Sequence, residues 1–423
     1  MTLQLQPGAR VGIVGGGPAG SFAALHLLKL ARQQKKPLEV LIFEPRDFRR
    51  PGPAGCNRCA GVLSYRLQQG LAQLDLTLPA PVIQAEIQAY AIHLHGNSLR
   101  IERPDPSRRI VSVYRGGGPR LLQDGPSASF DDFLLSCAVE QGAIRVAERV
   151  KRVTPADRPC IHTRSQAYPV DLLVIATGIN SQAPLAPEFG YVPPSSAVMA
   201  QDEFLLPEEW PRDRVDAFFE FPPGLIFGAV IPKGRYLNIS LLGEGLRLDA
   251  VEAFAEEHGL AQMLHPASGS LCGCTPRIAT GMARHFFGDR WVTVGDAAVT
   301  RLYKDGIGSA YHTARVAMTT AMTMGISRRA FARGYLPYCR AVRKDNRYGQ
   351  ILFRLWKLTM GIAPLIHAWQ EAIRLEAALP APQKVHTRIL WGMLTGDEPY
   401  RQLFWLSLTP GSLISLFRGL NHC

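Results

Sequence analysis

The fold is indicated by the stretch Val11-Gly12-Ile13-Val14-Gly15-Gly16-Gly17-Pro18-Ala19-Gly20-Ser21. Its apolar first half predicts a buried parallel strand, and the Ala- and Leu-rich residues 21–31 predict a helix. Gly15, Gly17 and Gly20 have the spacing GxGxxG, which allows a tight turn, close approach of the backbone to a pyrophosphate, and close packing of helix on strand. The stretch therefore predicts a dinucleotide whose phosphates lie at the positive end of the helix dipole.

A second predicted strand, residues 38–43, follows this helix and leads into Glu44. Glu44 comes about 20 residues after the last glycine, the spacing at which a carboxylate hydrogen-bonds ribose hydroxyls. Because strand, turn, helix, strand and acid follow in order, an accidental match of the glycine pattern is the weaker interpretation. The order predicts an α/β, Rossmann-like nucleotide-binding domain.

The composition is that of a globular protein, because 423 residues with 47% hydrophobic content provide material for one large or two smaller cores. Residues 1–10 lack the apolar stretch of a signal peptide. The longest apolar stretch, residues 351–369, is interrupted by charged residues and Pro364, so it fails the roughly 18-residue test for a membrane-spanning helix. We therefore expect a cytoplasmic protein that is not integral to a membrane.

The formal net charge of +12 is concentrated near the C-terminus. Residues 326–423 contain 14 Lys and Arg against 5 Asp and Glu, a surplus of nine. No nucleic-acid recognition motif accompanies these charges, so we expect no nucleic-acid partner. Residues 389–420 interleave Leu, Ile, Phe and Trp, which leaves two interpretations open: packing against the rest of the chain, or contact with an anionic membrane surface.

The eight cysteines form no regular framework, which is typical of a reducing compartment. Cys56 and Cys59 have the CxxC spacing, and Cys272 and Cys274 follow much later in the chain. This spacing is not specific, so a redox pair and a metal site are both weak interpretations. We predict no metal ion.

Short alternating runs in residues 81–113 and 197–243 predict an antiparallel sheet outside the nucleotide-binding domain. The run Asp171-Leu172-Leu173-Val174-Ile175-Ala176-Thr177-Gly178 predicts a second buried strand that ends in a glycine turn. Near residue 300, a short strand over 290–294 leads to Lys304-Asp305-Gly306-Ile307-Gly308, which precedes a predicted helix over 309–324. The remainder is predicted to be helical.

Three of these stretches together resemble the FAD-dependent oxidoreductases with the p-hydroxybenzoate hydroxylase fold: the GxGxxG turn with Glu44, the strand ending at Gly178, and Trp291-Val292-Thr293-Val294-Gly295-Asp296-Ala297-Ala298. The resemblance covers residues 9–325. Within that group, Cys59-Ala60-Gly61-Val62-Leu63-Ser64 is similar to the Cys-Gly-Gly segment of the geranylgeranyl reductases. Residues 223–234 are similar to the family's sheet segment beside the flavin ring.

Two departures from the family's pattern bear on function. Thr177-Gly178 stands where the hydroxylases usually carry Asp-Gly, which favours the reductases over the nicotinamide-driven hydroxylases. The loop after Asp296 lacks the usual Pro and has Lys304-Asp305 before Gly306, so we expect the substrate side to differ from that of known reductases.

The resemblance implies an α/β (α+β overall) architecture in three parts. A Rossmann-like FAD-binding domain comprises residues 1–80, 114–185 and 276–325. An inserted substrate domain with an antiparallel sheet comprises residues 81–113 and 186–275, and residues 326–423 form a C-terminal helical region.

The implied cofactor is FAD. Asp296 would accept hydrogen bonds from the ribityl hydroxyls, and N–H groups at Gly306 and Gly308 would stabilise negative charge on the reduced flavin. Arg115, or else Arg120, would contact the FAD phosphate or adenosine, although both could equally belong to a solvated turn. The expected cofactor-binding residues are Gly15, Gly17, Pro18, Ala19, Gly20, Glu44, Cys59, Ala60, Gly61, Val62, Arg115, Gly178, Gly295, Asp296, Gly306, Ile307 and Gly308.

The resemblance further implies a reductase of lipid biosynthesis that saturates carbon–carbon double bonds of an isoprenoid or other hydrophobic polyene and works peripherally at a membrane. NAD(P)H binding transiently, or a ferredoxin-like carrier, would supply the electrons, because the chain has no second GxGxxG fold. Two alternatives stay open: a flavin monooxygenase or halogenase of the same fold, and a flavoprotein that relays electrons to a quinone or a partner protein.

Reduction of an alkene also needs a proton, which must come from a positioned acid or from water. The candidates by position in the sequence are Cys59, Tyr303, Lys304, Asp305 and His312. We expect Cys59, Asp305 and Tyr303 to be catalytic. In the reductase branch of the family, Cys59 would be a single functional thiol on the substrate side of the flavin, with Cys56 a packed small side chain.

Overall fold

The computed structural model describes residues 3–56, 60–94, 96–117, 128–220, 222, 224–247, 249–262 and 273–420. In chain order, the strands are β1 (Arg10–Val14), β2 (Glu39–Phe43), β3 (Val62–Leu63), β4 (Ile83–Ile87), β5 (Ala89–Leu94), β6 (Asn97–Glu102), β7 (Ile110–Val113), β8 (Ile144–Val146), β9 (Arg152–Thr154), β10 (Cys160–His162), β11 (Ala167–Pro169), β12 (Leu172–Ile175), β13 (Ser196–Leu205), β14 (Arg214–Phe218), β15 (Leu225–Lys233), β16 (Tyr236–Gly243), β17 (Arg277–Ala279), β18 (Phe287–Gly288) and β19 (Trp291–Thr293). The α-helices are α1 (Pro18–Gln33), α2 (Tyr65–Gln73), α3 (Phe130–Glu140), α4 (Ala250–Glu257), α5 (Gly306–Thr323), α6 (Arg328–Gly334), α7 (Leu336–Met360), α8 (Ala363–Glu376), α9 (Val385–Thr395), α10 (Tyr400–Ser407) and α11 (Pro410–Leu420).

A six-stranded sheet in the order β18-β19-β12-β1-β2-β8 forms the nucleotide-binding part. All its pairings are parallel except β18 with β19. The apolar runs of β1 and β12 are buried because helices α1 and α5 cover one face and the small sheet β9–β11 covers the other. The Rossmann-like fold predicted from the glycine turn is confirmed.

A seven-stranded sheet in the order β17-β13-β16-β15-β14-β5-β6 contains the alternating runs of the sequence. Its neighbours pair antiparallel except β14 with β5. The predicted antiparallel sheet is therefore present, with one parallel pairing. Strand β17 lies beyond residue 275, where the predicted substrate domain ends. A three-stranded sheet, β3-β7-β4, lies next to β15.

Two helices begin earlier than predicted. Helix α1 begins at Pro18 because the fixed φ of proline suits the first turn, where its missing N–H costs nothing. Helix α5 begins at Gly306, so both glycines that were predicted to precede it lie in its first turn.

The C-terminal helices pack against the seven-stranded sheet. Ile92 and Phe227 of the sheet belong to one apolar cluster with Phe353, Trp391 and Leu403 of helices α7, α9 and α10. Trp391 is 2% exposed and Leu403 is fully buried. The packing interpretation of the tail therefore holds for these residues, whereas other apolar side chains of the same tail, Trp405 and Phe417 among them, face outward.

The same helices hold the loop that precedes α5. The buried Asn346 side chain of α7 accepts a hydrogen bond from the Leu302 N–H (2.9 Å) and donates one to the Thr300 carbonyl (2.9 Å). The Tyr400 hydroxyl of α10 donates to the Leu302 carbonyl (2.6 Å). Backbone polar groups that no strand or helix satisfies are thus paired by the C-terminal region.

In the part of the chain described here, no single helix is both long and apolar enough to cross a membrane. Two bent pairs, α7 with α8 and α10 with α11, meet the length and composition criteria only when their helices are taken together. The bends between their helices are 110° and 58°.

We expect replacement of Asn346 by Ala to destabilise the chain by about 2–3 kcal/mol, because two buried backbone groups lose their partners. Asn180 is a matched control, since its exposed side chain makes the same pair of bonds with the backbone N–H and carbonyl of Arg277. Asn180→Ala should cost well under half as much. Urea unfolding of both variants measures the difference, and equal losses would contradict the anchoring role of Asn346.

Candidate cofactor-binding site

The glycine turn after β1 lies against the end of β12. Gly15 has φ +106°, and a Cβ on Gly15 would come within 2.5 Å of the Ala176 carbonyl oxygen. Only glycine fits there, since the conformation and the close approach both exclude a side chain. The turn that leads into α1 therefore lies against Ala176 and Thr177 at the end of β12, where the sequence predicts a phosphate site.

Glu44 lies beside the same turn, but protein groups occupy its carboxylate. The side chain is 1% exposed and accepts a hydrogen bond from the Gly16 N–H (3.0 Å). The Arg46 guanidinium and backbone N–H donate three more, at 2.8 to 3.0 Å. The contact of Glu44 with ribose stays a prediction, and the structure adds that Arg46 would have to share this carboxylate with a hydroxyl.

Asp296 follows β19 at the same sheet edge. The preceding residue, Gly295, packs against Ala19 of α1 and Ala310 of α5, so the Asp296 turn joins the two helix N-termini. Burial raises the pKa of Asp296, while the nearby Thr300 hydroxyl and Arg115 guanidinium lower it. A partly buried acceptor beside two helix N-termini suits a polyol chain that donates hydroxyl protons.

An open space lies in front of the first residue of α5. A Cβ on Gly306 would meet no protein atom closer than 3.9 Å, and the two atoms at that distance are Asp296 Oδ1 and Thr300 Oγ1. The buried Thr177 hydroxyl has no hydrogen-bond partner among the described residues, and the Thr300 hydroxyl lies beside the Asp296 carboxylate. A hydroxyl, an acceptor carboxylate and a helix N-terminus around an open space are a donor and acceptor set that fits a flavin.

Arg115 is buried at the edge of this site in a bidentate pair with Asp131. Its Nε and Nη2 donate to the carboxylate at 2.7 and 2.9 Å, and the two side chains are 7% and 0% exposed. Gly61 lies directly against the Arg115 side chain. The geometry therefore brings Gly61, Arg115 and Asp296 together, whereas the contact of Arg115 with a phosphate or adenosine stays a prediction.

Tyr303 and Asp305 both have a left-handed backbone, with φ of +64° and +56°. Asp305 accepts a hydrogen bond from the Ser64 hydroxyl (3.1 Å), and a Cβ on Gly308 would come within 2.3 Å of its carboxylate. Burial raises the pKa of Asp305 to about 7, against smaller opposing effects of Arg301 and Ser64. Asp305 thus links the start of α2 to the first turn of α5, and its catalytic role stays a prediction.

Lys304 points toward the seven-stranded sheet. Its ammonium lies 3.6 Å from the centroid of the Phe227 ring and forms no ion pair with a described residue. Burial lowers the pKa of Lys304 to about 7. Tyr303 packs edge-on against Phe353 at 5.2 Å between ring centroids, and burial raises the pKa of its phenol.

Several predicted residues fall elsewhere. Cys59, Arg120 and Cys272 lie outside the described residues. His312 is on α5, away from its N-terminus, where burial lowers its pKa to about 4. Cys56 and Cys274 are half-buried, and the described residues contain no cluster of His, Cys, Asp or Glu that could hold a metal ion.

Sequence reasoning missed Thr300, Arg46 and Ser64. Thr300 could have been found from its position, because it follows Asp296 by only four residues and can therefore lie in the same turn. Ser64 has the helix N-cap signature, and its hydroxyl accepts from the Leu67 N–H, but its bond to Asp305 spans 241 residues. No local pattern in the sequence indicates such a contact.

Substitution of Gly306 by Val tests where the flavin ring lies. The chain alone leaves open space around a Cβ at this position, so we expect the cofactor-free protein to keep its melting temperature. The added methyl groups would occupy the space assigned to the cofactor, and FAD affinity should fall at least about tenfold. Flavin content and fluorescence titration measure the FAD affinity. Gly411→Ala, at an equally open position, is the control. Undiminished FAD binding by Gly306→Val would contradict the assignment.

Substitution of Asp305 by Asn tests the buried acid. Because its pKa is raised, the folded chain retains a proton that the unfolded chain loses above pH about 4, so stability falls as pH rises to about 7. Asn has no such titration and tolerates the left-handed backbone. We expect Asp305→Asn to gain stability relative to wild type by about 1.4 kcal/mol per pH unit across that window.

The control is Asp75→Asn, because Asp75 has the same left-handed backbone (φ +60°) but a largely exposed side chain. Melting temperatures measured from pH 4 to 8 compare the two variants. A stability difference for Asp305→Asn that does not change with pH would show that the carboxyl group is not buried as described.

Comparisons with known proteins agree with this geometry. Residues 12–64 match the model of a family described as FAD-NAD(P)-binding. No curated protein sequence matches the chain significantly. Among solved structures, a geranylgeranyl bacteriochlorophyll reductase-like protein from Thermoplasma acidophilum is similar at 15% identity and a TM-score of 0.64, over 98% of this chain and 96% of that one.

Two further solved structures extend the comparison. A flavoprotein/dehydrogenase from Cytophaga hutchinsonii is similar at 16% identity and a TM-score of 0.64, over 94% of this chain and 98% of that one. A triple mutant of the flavin-dependent brominase Bmp2 is similar at 16% identity and a TM-score of 0.58, over 97% and 98%. At these identities the likeness concerns the fold. The chain therefore has the fold of the flavin-dependent oxidoreductases, with an FAD-binding Rossmann-like domain and a C-terminal helical region.

Proposed function

We propose that the protein is an FAD-dependent reductase that saturates carbon–carbon double bonds of an isoprenoid or similar hydrophobic substrate. The observation that carries this proposal is the apolar surrounding of residues 302–304, which immediately precede the helix at the flavin site. Leu302 and Tyr303 belong to the apolar cluster between the seven-stranded sheet and the C-terminal helices. A substrate that reaches the flavin along this loop meets hydrocarbon and aromatic side chains.

The members of this cluster come from several parts of the chain. Ala60 and Val62, which belong to the predicted flavin-contacting segment, join Ile226 and Phe227 of β15 and Phe353 of α7. Ligand sites for apolar molecules have such linings with a few polar groups that fix orientation. Here the polar groups are the Tyr303 phenol and the Lys304 ammonium, whose Phe227 contact favours the cation.

When bound, reduced FAD supplies hydride to one alkene carbon, and the chain must deliver a proton to the other. Tyr303 keeps its phenolic proton at neutral pH, because burial raises its pKa. Lys304, with a pKa of about 7, can release a proton at neutral pH. The Ser64 hydroxyl donates a hydrogen bond to Asp305 at the start of α5. We propose that Asp305 orients the loop through this bond and is also a candidate acid. Cys59 remains a proposed catalytic thiol from the family resemblance.

The electron donor belongs to the same proposal. NAD(P)H binding transiently, or a ferredoxin-like carrier, would reduce the flavin. The rival reactions of this fold, oxygenation and halogenation, require dioxygen, whereas saturation of a double bond does not. Oxygen dependence therefore separates the proposals.

The test is anaerobic turnover by the FAD-loaded full chain with a chemical reductant and a geranylgeranyl-type polyene. We expect a product that has gained two hydrogens per double bond, detected by mass spectrometry. Gly306→Val, expected to lack flavin, is the negative control, and Tyr303→Phe should lower turnover about tenfold or more if the phenol supplies the proton.

Two results would contradict the reductase. One is oxygen uptake that depends on a substrate, with an oxygenated or halogenated product and no anaerobic turnover. The other is rapid reduction of a quinone or partner protein by an FAD-loaded chain that leaves every polyene unchanged, which would support the electron-relay alternative.

A further inference from the structure

Exposed apolar side chains concentrate on the C-terminal helices. Of the fifteen large hydrophobic residues that the described part of the chain exposes, eleven lie between residues 351 and 417. Helix α7 presents Ile351, Leu355 and Leu358, which share one face because they are spaced by four and three residues. Scattered exposed apolar residues are ordinary, but a concentration of this kind marks an interaction surface.

Neighbouring helices continue this surface. Helix α10 exposes Trp405, and Leu408 is exposed just after its end. Helix α11 exposes Leu413, Ile414 and Phe417, of which Phe417 is 65% exposed. The helices pack on one another, α11 against α8 and α10 against α7 and α11. We call these exposed residues of α7, α10 and α11 the apolar face.

The charges around the apolar face are almost all positive at the surface. Twelve of the fourteen Lys and Arg residues between 326 and 420 are exposed, whereas none of the five carboxylates of that described segment is. Glu376 accepts four hydrogen bonds from His386 and Thr387, and Glu398 pairs with Arg388 and Arg108. These buried acids are thus paired within the protein, and the half-buried Glu371 pairs with the exposed Arg374. The surface of this segment therefore remains positively charged.

Cations also stand within the apolar face. On α7, Arg354 adjoins Leu355, and Lys357 adjoins Leu358. On α10, Arg401 precedes Trp405 by one helical turn, and on α11, Arg418 follows Phe417. Exposed apolar and aromatic side chains among Lys and Arg are the composition of a helix that lies in the interface of an anionic bilayer.

We propose that the apolar face of α7, α10 and α11 docks on the surface of an anionic phospholipid bilayer. The choice of partner rests on charge complementarity: a second copy of this chain would bring a face of the same sign, and like charges repel. The side chains of Trp405 and Phe417 enter the acyl boundary, while Arg354, Lys357, Arg401 and Arg418 meet the phosphates. Binding requires neither flavin nor turnover, so this proposal can fail while the proposed reaction holds.

The test is co-sedimentation of the full chain with vesicles of phosphatidylcholine alone and of phosphatidylcholine mixed with phosphatidylglycerol. We expect binding to the mixed vesicles that weakens with added salt, and little binding to the neutral ones. Ile414→Ser with Phe417→Ser should lower the affinity about tenfold or more. The matched control is Ile144→Ser with Leu205→Ser, which removes two side chains of similar exposure outside the apolar face.

A second pair of variants tests the charges. Arg354→Glu with Lys357→Glu should lower affinity for the mixed vesicles at least about tenfold, because each cation near the surface contributes about 1 kcal/mol. Arg149→Glu with Arg164→Glu makes the same charge change at exposed positions of the nucleotide-binding part and should have a much smaller effect.

Three outcomes would overturn the proposal. The first is equal vesicle binding by the wild type and the Ile414→Ser, Phe417→Ser variant. The second is binding that ignores the anionic lipid content. The third is self-association of the wild type, measured by light scattering, that the same variant abolishes while neither protein binds vesicles, which would assign the face to a second copy. Melting temperature and FAD content of each variant verify that it is folded.

Discussion

The arrangement of the site depends on how the backbone of residues 300–305 is held. These residues belong to no regular element, so their N–H and carbonyl groups need partners. Asn346 bonds the Thr300 carbonyl and the Leu302 N–H, and Tyr400 bonds the Leu302 carbonyl. Both side chains come from the C-terminal helices. The helical region therefore does more than cover the sheet, because it fixes the backbone that orients Tyr303, Lys304 and Asp305.

A polar and an apolar environment meet at the loop of residues 300–305. On one side lie groups suited to a charged, hydroxylated cofactor: the helix N-termini, the Asp296 carboxylate and the Thr300 hydroxyl. On the other side lie Phe227, Phe353 and the rest of the apolar cluster. Burial between these surroundings moves the pKa of Lys304 down and that of Asp305 up, each to about 7, because desolvation disfavours the charged form of both. Perturbed groups of this kind are typical of functional sites.

The C-terminal region also presents an outward surface. Three of its five carboxylates are buried. Among them, Glu376 organises the N-terminus of α9, and Asp397 accepts from the Tyr65 N–H and the Trp391 indole. Its cations and many of its apolar side chains remain at the surface. The same helices thus join an apolar interior beside the flavin loop to an apolar, positively charged exterior. That continuity is what a hydrophobic substrate held in a bilayer would require.

The sequence by itself determined the nucleotide-binding fold, because the glycine turn, the buried strands and the helix starts are local patterns with local causes. Asp296 and Gly306 are predicted to lie beside a flavin from their positions at a strand end and a helix start, and the structure places the two residues next to each other. Only the tertiary structure decided which partners these groups have. The Ser64–Asp305 bond and the bonds of Asn346 to the loop before α5 join residues that are far apart in the sequence, and their pairing leaves no periodic signal. Such contacts depend on how whole elements pack, and no window of sequence contains both partners together with the elements that bring them into contact.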